Sequence, residues 1–420
     1  MSTSIVQQQQ LLRLTHIVRC PLVDQASEPV GHVDDLVVRL GSDRYPPVVG
    51  LKVRIGGRHV FVPINWIAEL SAGQAQMTGA TVNLLRFERR ESEVLLRQDI
   101  LDRKVIQMET GRLIPACDIA LSSMGNVWRV AGIDVRSGSI LQKAFHRSAP
   151  RPLDPATIVD WSRIEPFVAH VPTAKLRLPL LRLKRLHPAQ LADLVEGASH
   201  DEGTEIITAV GGDPVLEADV FEELDTEHQR EFLQGRSDTE AAAVIGGMSP
   251  DDAADLIGEL PQERRAFILA RVPMPQQARL RALLAYNPST AGGLMTTDYV
   301  AVAENGVVEQ VVERVAQAAT TILAVYVTDT ENRLLGSISL QALLRAARST
   351  CIRDVAEPLP VRLPTHADFT NVAMLMADYN LTEAPVVDDR DHLVGVISVD
   401  DVLESLIPDD WRRREEASAD

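Results

Sequence analysis

The sequence is poor in cysteine and aromatic residues, and it has no long apolar run. Cys20, Cys117 and Cys351 are the three cysteines among 420 residues, and they are far apart without CxxC spacing. This argues against a disulfide framework or a cysteine zinc site and fits a reducing compartment. No apolar run approaches the roughly 18 to 20 residues that span a bilayer. The N-terminal residues lack the basic and apolar regions of a signal peptide. We therefore expect a cytoplasmic protein, or one peripheral to a membrane, without a transmembrane segment.

Patterns that indicate catalysis are also missing. The ten histidines are scattered, and no nucleophile and base, metal-ligand cluster or Gly-rich phosphate loop stands out. We therefore expect no enzyme activity. The net charge of −17 disfavours contact with nucleic acid, so none is expected as a partner.

The negative charge is concentrated in one stretch. Residues 196–259 contain 18 acidic side chains and two basic ones, which leaves 16 net negative charges there. Concentrated negative charge attracts cations and basic partners. A solvated helical surface that only keeps the protein soluble explains the same composition equally well, and both interpretations stay open.

Residues 10–146 are predicted to form β structure. β-branched stretches such as residues 48–55 and 59–63 are separated by Gly and Pro, a pattern typical of hairpins in a small barrel. The region has two related halves, residues 10–72 and 99–146.

Short words repeat between these halves. Residues 31–37 resemble residues 111–119, and residues 48–53 resemble residues 130–135. Both halves resemble PRC-barrel domains. This resemblance implies a small β-barrel that binds an as yet unnamed protein partner.

A linker is predicted over residues 147–185, where prolines are frequent. Its last stretch is basic and contains no acid between Lys175, Arg177, Arg182, Lys184 and Arg185. The acidic segment that follows is the more economical docking site for it, and anionic lipid headgroups are the alternative.

A 12-residue repeat occupies much of residues 186–285. Similar words begin at residues 224, 236, 248, 260 and 272, each with a capping residue or early proline, then a short apolar helix. Helices of about nine residues are too short to stand alone and must stack into a superhelix. Residues 248–256 and 284–295 resemble the N domain of MgtE-type magnesium transporters, the latter with a Gly-Gly turn.

A second repeat follows at a spacing of 59 residues. Residues 324–329 and 334–340 align with residues 383–388 and 393–399, in the order strand, acidic turn, strand and helix. This pattern resembles a pair of CBS domains, predicted at residues 286–350 and 351–408, with a charged tail at 409–420. The resemblance implies an α/β pair that forms a homodimer.

CBS pairs often hold adenine nucleotides between their copies, on a Gly-h-h-Ser/Thr-x-x-Asp pattern. The second copy has this pattern with Ser398 and Asp401, whereas Ala342 replaces the aspartate in the first copy. The resemblance thus implies one adenine nucleotide site at most, in the second copy. Helix capping by the same two residues is the alternative interpretation.

The resemblance to MgtE also implies a Mg²⁺ site between acids of the helical domain and acids of the CBS pair. Helical candidates are Asp251, Asp255 and Glu259, which recur at one-turn intervals, and CBS candidates are Asp388 and Asp400. Helix N-terminal charge explains Asp251 without a metal, but it does not explain Asp255 and Glu259.

The sequence therefore predicts a multidomain α+β protein with a PRC-like barrel, a superhelix of short helices and a CBS pair. We expect a soluble regulator related to the Mg²⁺-sensing half of MgtE transporters and linked to magnesium homeostasis, without a pore of its own. The alternative is a ligand-independent scaffold that dimerises through its CBS pair and binds partners through the barrel.

Overall fold

A computed structural model of the chain describes residues 11–41, 43–79, 86–124, 127–136, 157–167, 180–318, 322–358 and 361–407. The chain divides into two units, one ending at Asp225 and the other starting at Thr226. The predicted charged tail at 409–420 and most of the predicted linker lie outside the described residues.

The first unit begins with β structure, as the sequence predicts. Its strands are β1 Leu11–Arg13, β2 Pro21–Val23, β3 Pro29–Arg39, β4 Val48–Ile55, β5 Arg58–Pro63, β6 Ile67–Ser71, β7 Gln74–Met77, β8 Glu93–Leu95, β9 Lys104–Gln107, β10 Arg112–Pro115, β11 Asp118–Met124, β12 Val127–Asp134, β13 Ile158–Asp160 and β14 Ile164–Pro166. Short helical turns lie at Leu14–Ile17 (α1), Ile64–Trp66, Leu96–Ile100 and Trp161–Arg163. The hairpin predicted at residues 48–63 is confirmed as the antiparallel pair of β4 and β5.

These strands form three open sheets. The largest has the order β5-β4-β3-β2-β7-β6, with β8 added along β3, and the others are β1-β11-β12-β13 and β10-β9-β14. Among the described residues no sheet closes on its first strand, so the closed barrel that we expected is not found. The PRC-like identity of this region stays a prediction.

Strands also pair between the two related halves and the segment that joins them. β1, at the start of the first half, pairs with β11 of the second half. β8, just before the second half, pairs with β3 of the first half. Leu36 and Leu51 of one half and Ile119 and Val130 of the other are fully buried in one hydrophobic core. The halves therefore form one folding unit.

Two buried carboxylates stabilise this exchange. Asp35 in β3 accepts hydrogen bonds from the backbone N–H groups of Arg97 at 2.8 Å and Gln98 at 3.0 Å, in the helical turn after β8. Asp118 in β11 accepts one from the backbone N–H of Thr15 in α1 at 3.3 Å. Each half thus caps the helical turn of the other, so buried backbone donors have partners.

Residues 157–167 differ from the linker that the sequence predicts there. β13 pairs with β12, and β14 pairs with β9. Trp161 between them is buried. Strands of three residues are too short to show an alternating pattern, and the nearby prolines give the segment the composition of a linker.

One described residue of the basic stretch, Lys184, contacts the acidic segment that follows, as predicted, whereas Arg182 contacts Glu165, which precedes the stretch. Lys184 Nζ lies 2.5 Å from Asp213 Oδ2. Arg182 pairs with Glu165 and donates a hydrogen bond to the carbonyl of Ser162 at 3.0 Å. Lys175 and Arg177, the other end of the stretch, are among the residues that are not described.

Short helices complete the first unit. They are α2 Leu180–Leu183, α3 Pro188–Glu196, α4 His200–Val210 and α5 Pro214–Glu223. A capping box of Ser199 and Glu202 starts α4. The β region contacts α3 directly, because Lys104 Nζ donates to the carbonyl of Gly197 at 2.9 Å and Gln190 Nε2 to that of Thr110 at 3.3 Å.

The second unit begins with five helices in strict repeat. They are α6 Thr226–Gln234, α7 Asp238–Ile245, α8 Pro250–Glu259, α9 Gln262–Leu269 and α10 Met274–Leu283. Each starts 12 residues after the one before, which confirms the predicted period. Met248, Leu260 and Val272, two residues before a helix start, are buried, so the repeated words supply core contacts as well as caps.

The two CBS-like copies follow. Their elements are α11 Ala291–Leu294, β15 Val300–Ala303, α12 Val308–Ala316, β16 Ala324–Thr328, β17 Leu334–Ser339, α13 Leu340–Arg345, α14 Ile352–Val355, β18 Leu363–Pro364, α15 Phe369–Asp378, β19 Glu383–Val387, β20 Leu393–Ser398 and α16 Val399–Leu406. The sheets β15-β16-β17 and β18-β19-β20 have the same order and the same mixture of parallel and antiparallel pairs. The repeat of strand, turn, strand and helix is thus confirmed.

The Gly-Gly turn before the first copy is required by close packing. A Cβ on Gly293 would lie 2.3 Å from the carbonyl oxygen of Asn287, and one on Gly292 would lie 2.5 Å from the ring of Tyr286. Any larger residue would therefore separate α10 from α11.

None of the helices in the described parts of the chain combines the length and the apolar composition needed to cross a bilayer.

The buried carboxylate of Asp35 predicts a pH dependence of stability. Burial raises its pKa to about 6, although hydrogen bonds from the backbone of Arg97, Leu36 and Gln98 oppose this shift. Because the folded pKa exceeds the ordinary value, the group favours folding fully below about pH 3.8 and loses this contribution as the pH rises to about 6. The variant Asp35→Asn has no carboxylate to titrate at this position. Its unfolding free energy should therefore fall by roughly 3 kcal/mol less than that of the wild type over this pH range.

Denaturant unfolding at several pH values between 3.5 and 6.5 measures this difference. Glu69→Gln, which removes an exposed carboxylate from β6 of the same sheet, is the control and should keep the wild-type profile. Identical profiles for wild type and Asp35→Asn would contradict the prediction.

Candidate metal and nucleotide sites

The two residues predicted to bind a nucleotide form the start of α16. Ser398 Oγ accepts a hydrogen bond from the backbone N–H of Asp401 at 3.4 Å, and the carboxylate of Asp401 accepts one from the backbone N–H of Ser398 at 3.2 Å. Burial raises the pKa of Asp401, and Asp400 and Glu404 add to this, while the bonds from Ser398 oppose it. The structure thus shows the capping box of the alternative interpretation. Binding of a nucleotide stays a prediction.

The glycine of the same pattern has a packing role. A Cβ on Gly395 would lie 2.5 Å from the Met295 sulfur, because Thr296 forms an antiparallel bridge with Val396 of β20 at this point. A Cβ on the equivalent Gly336 of the first copy would lie 2.4 Å from the carbonyl oxygen of Glu357. A strand of each copy thus pairs with the segment that leads into the other copy.

In the first copy, the equivalent helix α13 starts with a serine cap but lacks the aspartate. Ser339 Oγ accepts a hydrogen bond from the backbone N–H of Ala342 at 3.1 Å. Since alanine has no polar side chain, a ribose hydroxyl would find no acceptor there. The two copies are therefore alike in fold and different in the chemistry of this position.

Tyrosines that the sequence analysis missed fill the space between the copies. Tyr326 is 1% exposed, packs edge-on against Tyr299, and its hydroxyl hydrogen-bonds Glu383 of the second copy. Burial raises the pKa of Glu383, and burial next to Glu383 also raises that of Tyr326. The one signal in the sequence is the asymmetry of the repeat, since Pro385 occupies the equivalent position of the second copy.

The predicted helical metal ligands lie on α8. Asp251 is half-buried, while Asp255 and Glu259 are exposed. Although the Asp255 side chain is exposed, partial desolvation by the surrounding protein raises its pKa, and the negative charge of Glu259 raises this pKa further. Arg230 on α6 approaches Glu259 to 3.8 Å and partly neutralises it. The face therefore offers carboxylate oxygens, the ligands that Mg²⁺ prefers.

The predicted ligands in the CBS pair have local roles. Asp388 closes the turn between β19 and β20, where it accepts hydrogen bonds from the backbone N–H groups of Arg390 at 2.8 Å and His392 at 2.9 Å. Slight burial would raise the pKa of Asp388, but these bonds and the His392 ring lower it. Asp400 lies in the first turn of α16, where negative charge suits the helix dipole.

These acids are not assembled into a metal site in this structure. No three of Asp251, Asp255, Glu259, Asp388 and Asp400 place carboxylate oxygens within 4.8 Å of one another. A Mg²⁺ site built from them stays a prediction, and it requires either bridging waters or a rearrangement of the acids around the ion.

Two family models match the chain. The MgtE intracellular N domain matches residues 186–289, and the CBS domain matches residues 291–349 and 352–408. Among curated proteins, the magnesium transporter MgtE of Thermus thermophilus is 44% identical over 133 residues, which are 31% of this chain and 30% of that protein. MgtE of Enterococcus faecalis is 35% identical over 134 residues, again 31% and 30%. The aligned part of the chain thus spans about 30% of the length of these relatives.

Solved structures extend the similarity. The crystal structure of the cytosolic domain of the Mg²⁺ channel MgtE in complex with ATP is 33% identical, with a TM-score of 0.50, and the match covers 54% of this chain and 93% of that one. The soluble part of a magnesium transporter matches with 28% identity and a TM-score of 0.50, over 54% and 90%. The chain therefore belongs to the family of proteins in which an MgtE intracellular N domain is followed by a pair of CBS domains.

Proposed function

We propose that this protein is a cytosolic regulator that binds Mg²⁺ and takes part in the control of magnesium transport or homeostasis. The observation that carries the proposal is the match of 33% identity over 93% of the cytosolic domain of a Mg²⁺ channel. The protein acts by binding and by changing shape, and its β region contacts a protein partner.

Electrostatic repulsion supplies the mechanism. Residues 196–259 carry 16 net negative charges, and α8 presents Asp255 and Glu259 one turn apart on its exposed side. Without a cation these acids repel the acids of the CBS pair. Mg²⁺ held by Asp251, Asp255 and Glu259 on one side and by Asp388 and Asp400 on the other would neutralise both. The raised pKa of Asp255 supports this, because an added cation favours the ionised carboxylate.

Titration calorimetry with MgCl₂ tests this function. We expect uptake at millimolar Mg²⁺ with increased protease resistance, and at least tenfold weaker binding in Asp255→Asn/Glu259→Gln, because two of the proposed ligands are lost. Arg230→Gln should change affinity in the opposite direction, since it removes the cation that competes for Glu259.

The control for this titration is Glu331→Gln, which removes an exposed carboxylate outside the proposed site. Absence of both heat and protection with the wild-type protein would exclude the Mg²⁺ function. The scaffold that dimerises without a ligand would then remain, with Asp255 and Asp401 dispensable for its assembly.

A homodimer through the CBS pair is the second part of the proposal. α15 and α16 contact each other and leave large apolar side chains in solvent. The exposed fractions are 59% for Met374, 54% for Tyr379, 52% for Leu403 and 53% for Leu406. Large exposed apolar side chains on or next to two helices in contact favour burial against a second copy.

If the dimer forms through this surface, introducing charged residues there should convert the dimer into a monomer. Leu403→Glu/Leu406→Glu should give a monomer in sedimentation velocity, because burying two unpaired carboxylates is costly. Phe267→Glu, which changes an equally exposed apolar residue outside the CBS pair, is the control and should sediment as the wild type. A dimer that persists in the double variant would refute this interface.

Binding of an adenine nucleotide to the second copy is tested by substituting the helix-capping serine in each copy. Ser398→Ala and Ser339→Ala each remove a helix cap, and each should cost about 1 kcal/mol of unfolding free energy. If Ser398 and Asp401 also hold a nucleotide, Ser398→Ala alone should weaken ATP binding in calorimetry. Equal ATP binding by both variants, or none by the wild type, would leave capping as the function of these residues.

A further inference from the structure

The charge of the chain reverses sharply after α8. Residues 264–297 contain no acidic side chain, although the whole chain has a net charge of −17. The arginines of this stretch are Arg264, Arg265, Arg271, Arg279 and Arg281. A basic stretch directly after the most acidic part of the chain calls for a separate explanation.

Three of these arginines have structural roles. Arg264 Nη2 donates to the carbonyls of Leu233 at 2.9 Å and Arg236 at 2.7 Å, near the end of α6. Arg265 Nε donates to the carbonyl of Leu260 at 2.6 Å, and Arg279 pairs with Asp298 at 2.5 Å. Arg271 and Arg281 remain exposed, and neither has an ion pair in the described part of the chain.

Two large apolar side chains lie beside Arg271. Phe267 is 58% exposed and Met274 is 77% exposed, on either side of the turn between α9 and α10. The opposite faces of these helices provide the core contacts, where Ile268 and Leu280 are buried. Arg271 Nη1 donates to the carbonyl of Phe267 at 2.8 Å, which keeps the cation next to the apolar pair.

The rest of this surface has few groups that could recognise a particular partner. The exposed small or apolar residues around the turn and along the two helices are Ala266, Ala270, Pro273, Pro275, Ala278, Ala282 and Ala285. Nucleic acid is disfavoured by the net charge of −17. These alanines and prolines have no side-chain hydrogen-bonding group with which a protein partner could fix its register. A lipid headgroup layer needs only cations and apolar side chains that enter it.

We infer that the turn between α9 and α10 is a weak binding site for an anionic lipid surface. Phe267 and Met274 enter the headgroup region, while Arg271 and Arg281 pair with lipid phosphates. One cation near an anionic surface raises binding about fivefold, so a single turn gives weak, reversible attachment. Two turns in the proposed dimer would add through avidity. The site goes beyond the proposed regulatory function, which needs no membrane contact.

Vesicle co-sedimentation of the full-length protein tests this site. We expect binding to vesicles of phosphatidylcholine with phosphatidylglycerol, little binding to phosphatidylcholine alone, and loss of binding in 0.5 M NaCl because salt screens the charges. Phe267→Ser/Met274→Ser and Arg271→Glu/Arg281→Glu should each reduce the bound fraction at least fivefold.

Val215→Ser is the matched control, because Val215 is 69% exposed but lies in the acidic stretch, and it should leave binding unchanged. Thermal unfolding checks that each variant is folded. Wild-type protein that stays in the supernatant, or binding retained by both double variants, would overturn the inference. Mg²⁺ calorimetry on the same variants should match the wild type, so a failure here is distinguishable from a failure of the proposed function.

Discussion

Helices of eight to ten residues do not hold their shape in water on their own, and this constraint governs the central part of the chain. Each helix is stable only when its apolar side is covered by neighbours, as α8 is by α6 and α10. The polar sides are then all directed to solvent, and here they are mainly acidic. The packing of these short helices therefore leaves acidic side chains on their surfaces, and residues 196–259 carry 16 net negative charges. The proposed response to Mg²⁺ would use the same acidic surface that results from this packing.

How much of this could be predicted depends on the sequence distance over which each feature acts. The 12-residue period is local, because a capping residue or a proline precedes each helix and a buried residue precedes four of the five, and so the helix starts were predictable. The CBS repeat was visible for the same reason, at a spacing of 59 residues. The exchange of β1 and β8 depends on contacts between residues about 60 to 105 positions apart, such as Asp35 with Gln98 and Asp118 with Thr15. No local sequence pattern at either residue of such a pair indicates which residue will be its partner.

The candidate sites show a different limit. Ser398 and Asp401 were identified by their spacing, but the same spacing serves a capping box, and the structure uses it in that way. The contact of Tyr326 with Glu383 was not predicted, since each residue appears ordinary within its own strand. It becomes visible only when the two copies are superposed and tyrosine is found opposite Pro385. Departures from internal symmetry are therefore as informative in this chain as the repeats themselves.

The distribution of charge links these observations. The acids lie on helices α3 to α8, whereas the charged residues of 264–297 are all arginines, and the boundary falls within α9 just after Glu263. Several of these arginines bind carbonyls near the ends of neighbouring helices, where the helix dipole is negative, so part of the basic charge is needed for stability. Arg281 is not explained in this way, and Arg271 keeps an exposed side chain although it binds the Phe267 carbonyl near the end of α9. The exposure of Phe267 and Met274 beside Arg271 is not explained either. Because exposed apolar side chains lower solubility without adding stability, their position next to exposed cations favours a binding role for this turn.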